Sequence, residues 1–147
     1  MFAPNSSHAS PADLGALVLR VALGVMYIAH SLVLKYFVFT LAGTAQFFAS
    51  LGLPPVLAYA VFWSELIGGL LLVLGIWPRA VALALVPVLA GALWTHAGNG
   101  WVFSAANGGW EYPLFLIVIS LVQALIGDGA YALQPTPALR LSQARTA

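Results

Sequence analysis

The sequence predicts an all-α membrane protein, a bundle of four transmembrane helices with a short hairpin in the third connection. Three observations predict it. Apolar residues make up 62% of the 147. Only five basic and four acidic side chains are present, a charged fraction of 6%, where a soluble domain carries about 25%. Four apolar stretches also approach the roughly 20 helical residues that cross a hydrocarbon core of about 30 Å. So little polar surface cannot hold a fold in water, and the lipid bilayer is the expected first partner. The five basic residues are scattered and the net charge is +1, which offers no patch for a run of phosphates and excludes nucleic acid. The chain has no cysteine, so thiolate zinc sites, cysteine-ligated clusters and thiol relays within it are excluded. Redox chemistry here needs a borrowed cofactor or a partner.

Along the chain, residues 1–13 are polar and Pro-containing and read as a flexible segment before a retained first helix. Their Asn5-Ser6-Ser7 matches a glycosylation sequon, a tripeptide that arises often by chance. The first span runs from Leu14 to Lys35. Phe37 to Gly52 is apolar but interrupted by Gly43, Thr44, Gln46 and Ser50, and suits an interfacial or re-entrant helix as well as a loop. Pro54-Pro55 restarts the chain into a second span, Pro55 to Trp77. The third, Ala80 to His96, is the shortest and contains Pro87, whose missing amide kinks a helix and gives room for a cavity. Two aromatic stretches around Asn107-Gly108-Gly109 form the expected hairpin, and Tyr112 to Gly127 is the fourth span. The transmembrane domain is thus expected over 14–133 and a cytoplasmic tail over 134–147. Arg79, Arg140 and Arg145 outvote Lys35 and put both termini in the cytoplasm.

Ionisable residues inside spans are costly and mark partners, cavities or function. Glu65 lies roughly 15 Å along its span and needs a cation or a proton at that depth. Arg20, about 9 Å into the first span, is one candidate partner, by snorkelling. Gly68 and Gly69 share the Glu65 face and allow a backbone or a flat ligand to approach. His30 and His96 each sit about 25 Å along a span from the same side, level with one another. With Lys35 and Glu111 they gather enough groups at one rim for proton transfer. Trp94, Trp101, Trp110 and Tyr112 suit the aromatic belt, or a lid over a ligand. No HExxH or ExxH spacing is present and no metal site is expected, although two level histidines leave a bis-histidine haem conceivable.

These residues resemble the DoxX-like membrane proteins over Leu19 to Leu133. LRVALGVMYIAHSLVLKYF looks like the family's opening helix, with Arg20, Gly24, His30 and Lys35 at signature positions. SELIGGLLLVLGIWPR is similar to its second span, through Glu65, Gly68, Gly69, Gly75 and Arg79. HAGNGWVFSAANGGWEYPLF carries His96, Gly108, Gly109 and Glu111, and IGDGAYAL fits the ending. Ser31 stands where the family commonly has Gly, and Lys35 falls one residue late, a shift of about 100° around an α-helix. The resemblance implies a four-helix protein of the bacterial inner membrane, with relatives that serve as subunits of thiosulfate:quinone oxidoreductase or of oxidative-stress complexes.

The leading expectation is a redox subunit binding quinone or a similar hydrophobic redox ligand. In it Glu65 and His96 handle protons, Glu111 shapes the outer entrance, and Arg20, His30, Lys35, Gly68, Gly69 and Trp110 surround the ligand. A partner redox subunit brings the electrons. The alternatives are an assembly subunit without a ligand, and a small proton-coupled carrier that would need a homodimer for alternating access.

Overall fold

The computed structural model describes residues 9–137 and is all-α, with no strand among them. Helix α1, Pro11–Ile28, continues without interruption as a π-helical segment, Ala29–Val38. Helix α2, Leu41–Ser50, fills the stretch that suited an interfacial helix or a loop. Then come α3, Val56–Leu74, and α4, Pro78–His96, which ends in a 3-10 turn, and last α5, Glu111–Ile126. Three segments are long and apolar enough to cross a bilayer: Pro11–Val38, Val56–Leu74 and Pro78–Asn99. The fourth expected span is a shorter apolar helix of 16 residues, about 24 Å long. The third connection turns back on itself without the strand pairing of a hairpin. Two bonds close it, Trp110 N–H to Gly100 O at 3.1 Å and Glu111 N–H to Trp101 O at 3.1 Å. The sequon, His8, Arg140 and Arg145 lie outside the described residues.

Local chemistry explains where the helices begin and stop. Ser10 and Asp13 form a capping box, with Asp13 N–H on Ser10 Oγ at 3.1 Å and Ser10 N–H on Asp13 Oδ2 at 3.2 Å, and Pro11 opens the first turn. Helix α3 ends at Gly75, whose φ of 72° is the left-handed cap position that glycine occupies without strain. Pro78 then starts α4.

Helix α1 packs on α3 and α4 on α5 around a core of Leu23, Tyr27, Leu72, Ala82, Leu85, Leu89 and Leu116. Lipid supplies no hydrophobic force between helices, so their association rests on close fit. Gly24 and Gly69 provide it for α1 and α3: a Cβ at either would stand within 2.8 Å of the other's carbonyl oxygen. Gly68 faces the Leu85 side chain instead. Both glycines of the Glu65 face are thus filled by protein. Gly69→Ala is expected to push α1 and α3 apart and to cost about 1–3 kcal/mol, the usual penalty of overpacking, read as a lower unfolding midpoint in detergent.

The end of the bundle that holds the chain's N-terminal capping box is tied together by polar bonds. Arg20, 1% exposed, donates to Leu72 O at 3.1 Å, Val73 O at 3.3 Å and Ala130 O at 2.8 Å. The segment after α5 folds back over this end, with Ala130 N–H on Asp13 O at 2.9 Å and Trp77 N–H on Gln134 O at 2.8 Å. Arg79 Nε donates to Ala124 O at 2.7 Å. The expectation that Arg20 snorkels to Glu65 is therefore corrected. Seven residues of helix, about 10 Å, separate Glu65 from Leu72, and the guanidinium caps carbonyls at the far end of α3.

Candidate functional site

The opposite end holds the candidate site, and the π-helical segment is what assembles it. In an α-helix residues five apart point roughly 140° away from each other. Hydrogen bonding from i to i+5 widens the turn and brings them close to one face. Phe39 N–H bonds to Leu34 O at 2.8 Å, the last such turn. The residue that separates Lys35 from its usual spacing is absorbed in this winding, so His30 and Lys35 line the same cavity.

From there the Lys35 ammonium reaches α3 and donates to both Glu65 oxygens, at 2.9 and 2.6 Å. The two side chains are 17% and 8% exposed, so the pair is largely out of water. The Glu65 carboxylate lies about 14 Å along α3 from Val56, and its charge at that depth is balanced by the cation beside it.

Above the pair lies a cavity of about 900 Å³, at the upper end of the range for small-molecule sites. Its polar lining is Tyr27, His30, Lys35, Thr44, Glu65, Thr95, His96, Asn107 and Tyr112, and the rest is apolar, including Phe47 and Phe48 of α2 and Trp94 of α4. Pro87 also lines it; lacking an amide hydrogen, it leaves the Leu83 carbonyl without the usual helix bond. His30 lies nearly parallel to Tyr112, with ring centroids 6.0 Å apart and planes at 21°. Its Nδ1 is 2.9 Å from Met26 O. His96 Nδ1 is 3.0 Å from Asn107 O, a carbonyl that Asn99 Nδ2 also reaches at 3.0 Å.

The structure thus gathers His30, Lys35, Glu65 and His96 around one space. It does not bring Arg20, Gly68, Gly69, Trp110 or Glu111 to the lining. Arg20 and the glycines serve packing and helix ends as described. Trp110 meets Trp101 edge to face at 4.5 Å. The Glu111 carboxylate accepts from Phe103 N–H at 2.8 Å and holds the connection that carries Asn107. Sequence reasoning did not single out Tyr27, and named Asn107 only as part of a turn. Tyr27 stands three residues, close to one helical turn, before His30, which was a usable signal, whereas Asn107 meets His96 through its backbone carbonyl, a contact that its side chain does not announce.

Residues 15–98 match the family described as DoxX. The chain is also similar to Putative oxidoreductase CatD of Bacillus subtilis (strain 168), with 35% identity over 123 residues, 84% of this chain and 87% of the relative. No solved structure matches it significantly.

Proposed function

Because this chain belongs to the DoxX family of membrane proteins, we propose that it serves as the membrane subunit of a redox system and takes a quinone or a similar flat hydrophobic redox ligand into the cavity. The observation that carries this reading is one apolar space of ligand size with a buried Lys35–Glu65 pair and two histidines on its wall. Reducing a quinone takes two electrons and two protons. A chain without cysteine relies on a partner redox protein for the electrons. Glu65 and His96 handle the protons, and Glu111 shapes the entrance by holding the connection against which His96 is bonded. The relative's name, which describes an oxidoreductase, supports the same class. The bilayer is both the protein's solvent and the reservoir of an apolar ligand, and the bacterial inner membrane is the expected location. Counting α5 as a fourth crossing puts both ends of the chain on the cytoplasmic side.

Tryptophan fluorescence tests the reading directly. Of the five tryptophans only Trp94 lines the cavity. Titrating 1,4-naphthoquinone into the protein in mild detergent is expected to quench fluorescence to saturation at one ligand per chain. Trp94→Phe should remove most of that saturable component. Quenching that is linear, and equal in both proteins, would reject a site in this cavity.

A further inference from the structure

Among the described residues, four buried side-chain atoms have no hydrogen-bond partner in the protein: Arg20 Nε, Tyr27 OH, Ser120 Oγ and Gln123 Oε1. All four side chains are at most 1% exposed, and all belong to the neighbouring helices α1 and α5. Buried polar atoms rarely go without a partner, and inside a membrane span each one is costly. These four also fall in one file. Helix α5 runs antiparallel to α1: His30 meets Tyr112 at the cavity, the Tyr27 hydroxyl stands beside Ser120, and at the opposite end Ala130 bonds both Arg20 and Asp13. Arg20 and Tyr27 are seven residues apart, about 10 Å and nearly two full turns, so both point to one side of α1. Ser120 and Gln123 are three apart, about 4.5 Å, and share a face of α5. The order from the cavity is Tyr27, Ser120, Gln123, Arg20.

The file has an inner and an outer end. Tyr27 lines the cavity, within electrostatic reach of Glu65. At the other end Arg20 uses both terminal nitrogens on carbonyl oxygens and Gln123 Nε2 donates to Gly127 O at 2.8 Å, which leaves Nε and Oε1 over. The partly exposed Asp128 carboxylate acts on the Arg20 guanidinium from this end. Water is the partner that suits all four atoms, since it donates to Oε1 and the hydroxyl oxygens and accepts from Nε and the hydroxyl hydrogens. Helix α1 touches α5 far less than it touches α3, so this seam opens more readily than the other side of α1.

We infer that α1 and α5 enclose a narrow hydrated path by which protons reach the cavity from the opposite end of the bundle. The Ser120 and Tyr27 hydroxyls pass the protons, and Gln123 and Arg20 hold the water. Each hydroxyl takes a proton on one side and gives up its own on the other, ending unchanged. Two protons delivered in this way match the two electrons that a partner redox protein brings to a quinone. That use of the path rests on reading the cavity as a redox-ligand site, whereas the path itself does not. Side chains that only hold the helices in register would leave the seam dry.

The absence of cysteine makes the path testable, because any introduced thiol is unique in the chain. Ser120→Cys in membrane vesicles of either orientation is exposed briefly to Ag+, an ion small enough to follow a file of water. The protein is then denatured and its unreacted thiol is counted with a fluorescent maleimide. Ala82→Cys is the control, since Ala82 is 0% exposed like Ser120 but lies off the file. Leu133→Cys, exposed at the outer end, reports which face the reagent meets. The expected result is a reaction at position 120 about tenfold faster than at position 82, from the Leu133 face, and slowed by adding Gln123→Leu. Proton movement is read separately in proteoliposomes under a potassium diffusion potential with a trapped pH dye. Tyr27→Ala joins the cavity to the file and should raise the leak about tenfold, and adding Gln123→Leu should cancel the rise. A thiol at position 120 as inert as the one at position 82, or reached only from the cavity face, would overturn the path. Folded Tyr27→Ala protein without added leak would overturn its proton role. None of these readouts involves a ligand, so they stand or fall apart from the naphthoquinone titration that tests the cavity.

Discussion

Lys35→Met is expected to cost about 3–5 kcal/mol of stability, because it leaves the Glu65 carboxylate in a largely water-free site without its cation. Glu65→Gln strands the ammonium instead, and should cost less. Lys35 is the more exposed partner and stands three residues from the end of its helix, so its long stem can carry the charge toward the interface. The double variant Lys35→Met/Glu65→Gln removes both charges and should recover most of the loss, as buried pairs replaced together commonly do. Thermal unfolding of the four proteins in one detergent measures the cycle. Ligand occupancy is expected to fall in all three variants, including the stable double one. That separation of stability from occupancy distinguishes a functional pair from one that only holds the π-helical segment and α3 in register. Full occupancy in a well-folded double variant would assign the pair to structure alone.

Arg20→Leu is the other large effect. The guanidinium bonds three carbonyl oxygens, of Leu72, Val73 and Ala130, from a fully buried position. Hydrogen bonds from a charged donor contribute about 1.5–3 kcal/mol each, and the orphaned carbonyls at the end of α3 would also lose their only charged partner. A loss of about 3 kcal/mol or more is expected, read as a lower unfolding midpoint. Easier proteolysis in the segment Asp128–Pro137 should accompany it, since Ala130 is one of its anchors. Arg20→Lys keeps the charge but lacks the planar fork, and should recover only part. Because Arg20 lies at the other end of the bundle from the cavity, whatever fraction of Arg20→Leu remains folded should still bind the naphthoquinone probe with the wild-type Kd.

Much of the architecture was legible in the sequence because the bilayer imposes it: apolar runs of the right length, bounded by Pro and Gly, could only be helices. The site was legible in part. Glu65 stood out as a carboxylate far from any interface, and His30 and His96 as two imidazoles at one depth. The Lys35–Glu65 pair was hidden, since it depends on a π-helical winding that no periodicity count anticipates. With α-helical geometry assumed, Lys35 turns away and Arg20 becomes the nearer partner on paper. Glu111 shows the reverse case: its place on the rim was readable, but its carboxylate is used by the Phe103 amide of its own connection. Gly68 and Gly69 suggested room for a ligand, and Leu85 and Gly24 occupy that room. Small residues in a membrane helix state that something approaches closely, without stating what.

The central claim is that the cavity around Lys35 and Glu65 holds a quinone-type ligand. Mass spectrometry of small molecules released from protein purified in mild detergent tests it most directly, with wild type set against Lys35→Met/Glu65→Gln. The expected result is a quinone or quinol in near-equal amount to the wild-type chain and its loss from the folded double variant. Wild-type protein that is folded, monodisperse and free of any such molecule, and that stays so after incubation with excess naphthoquinone, would contradict it.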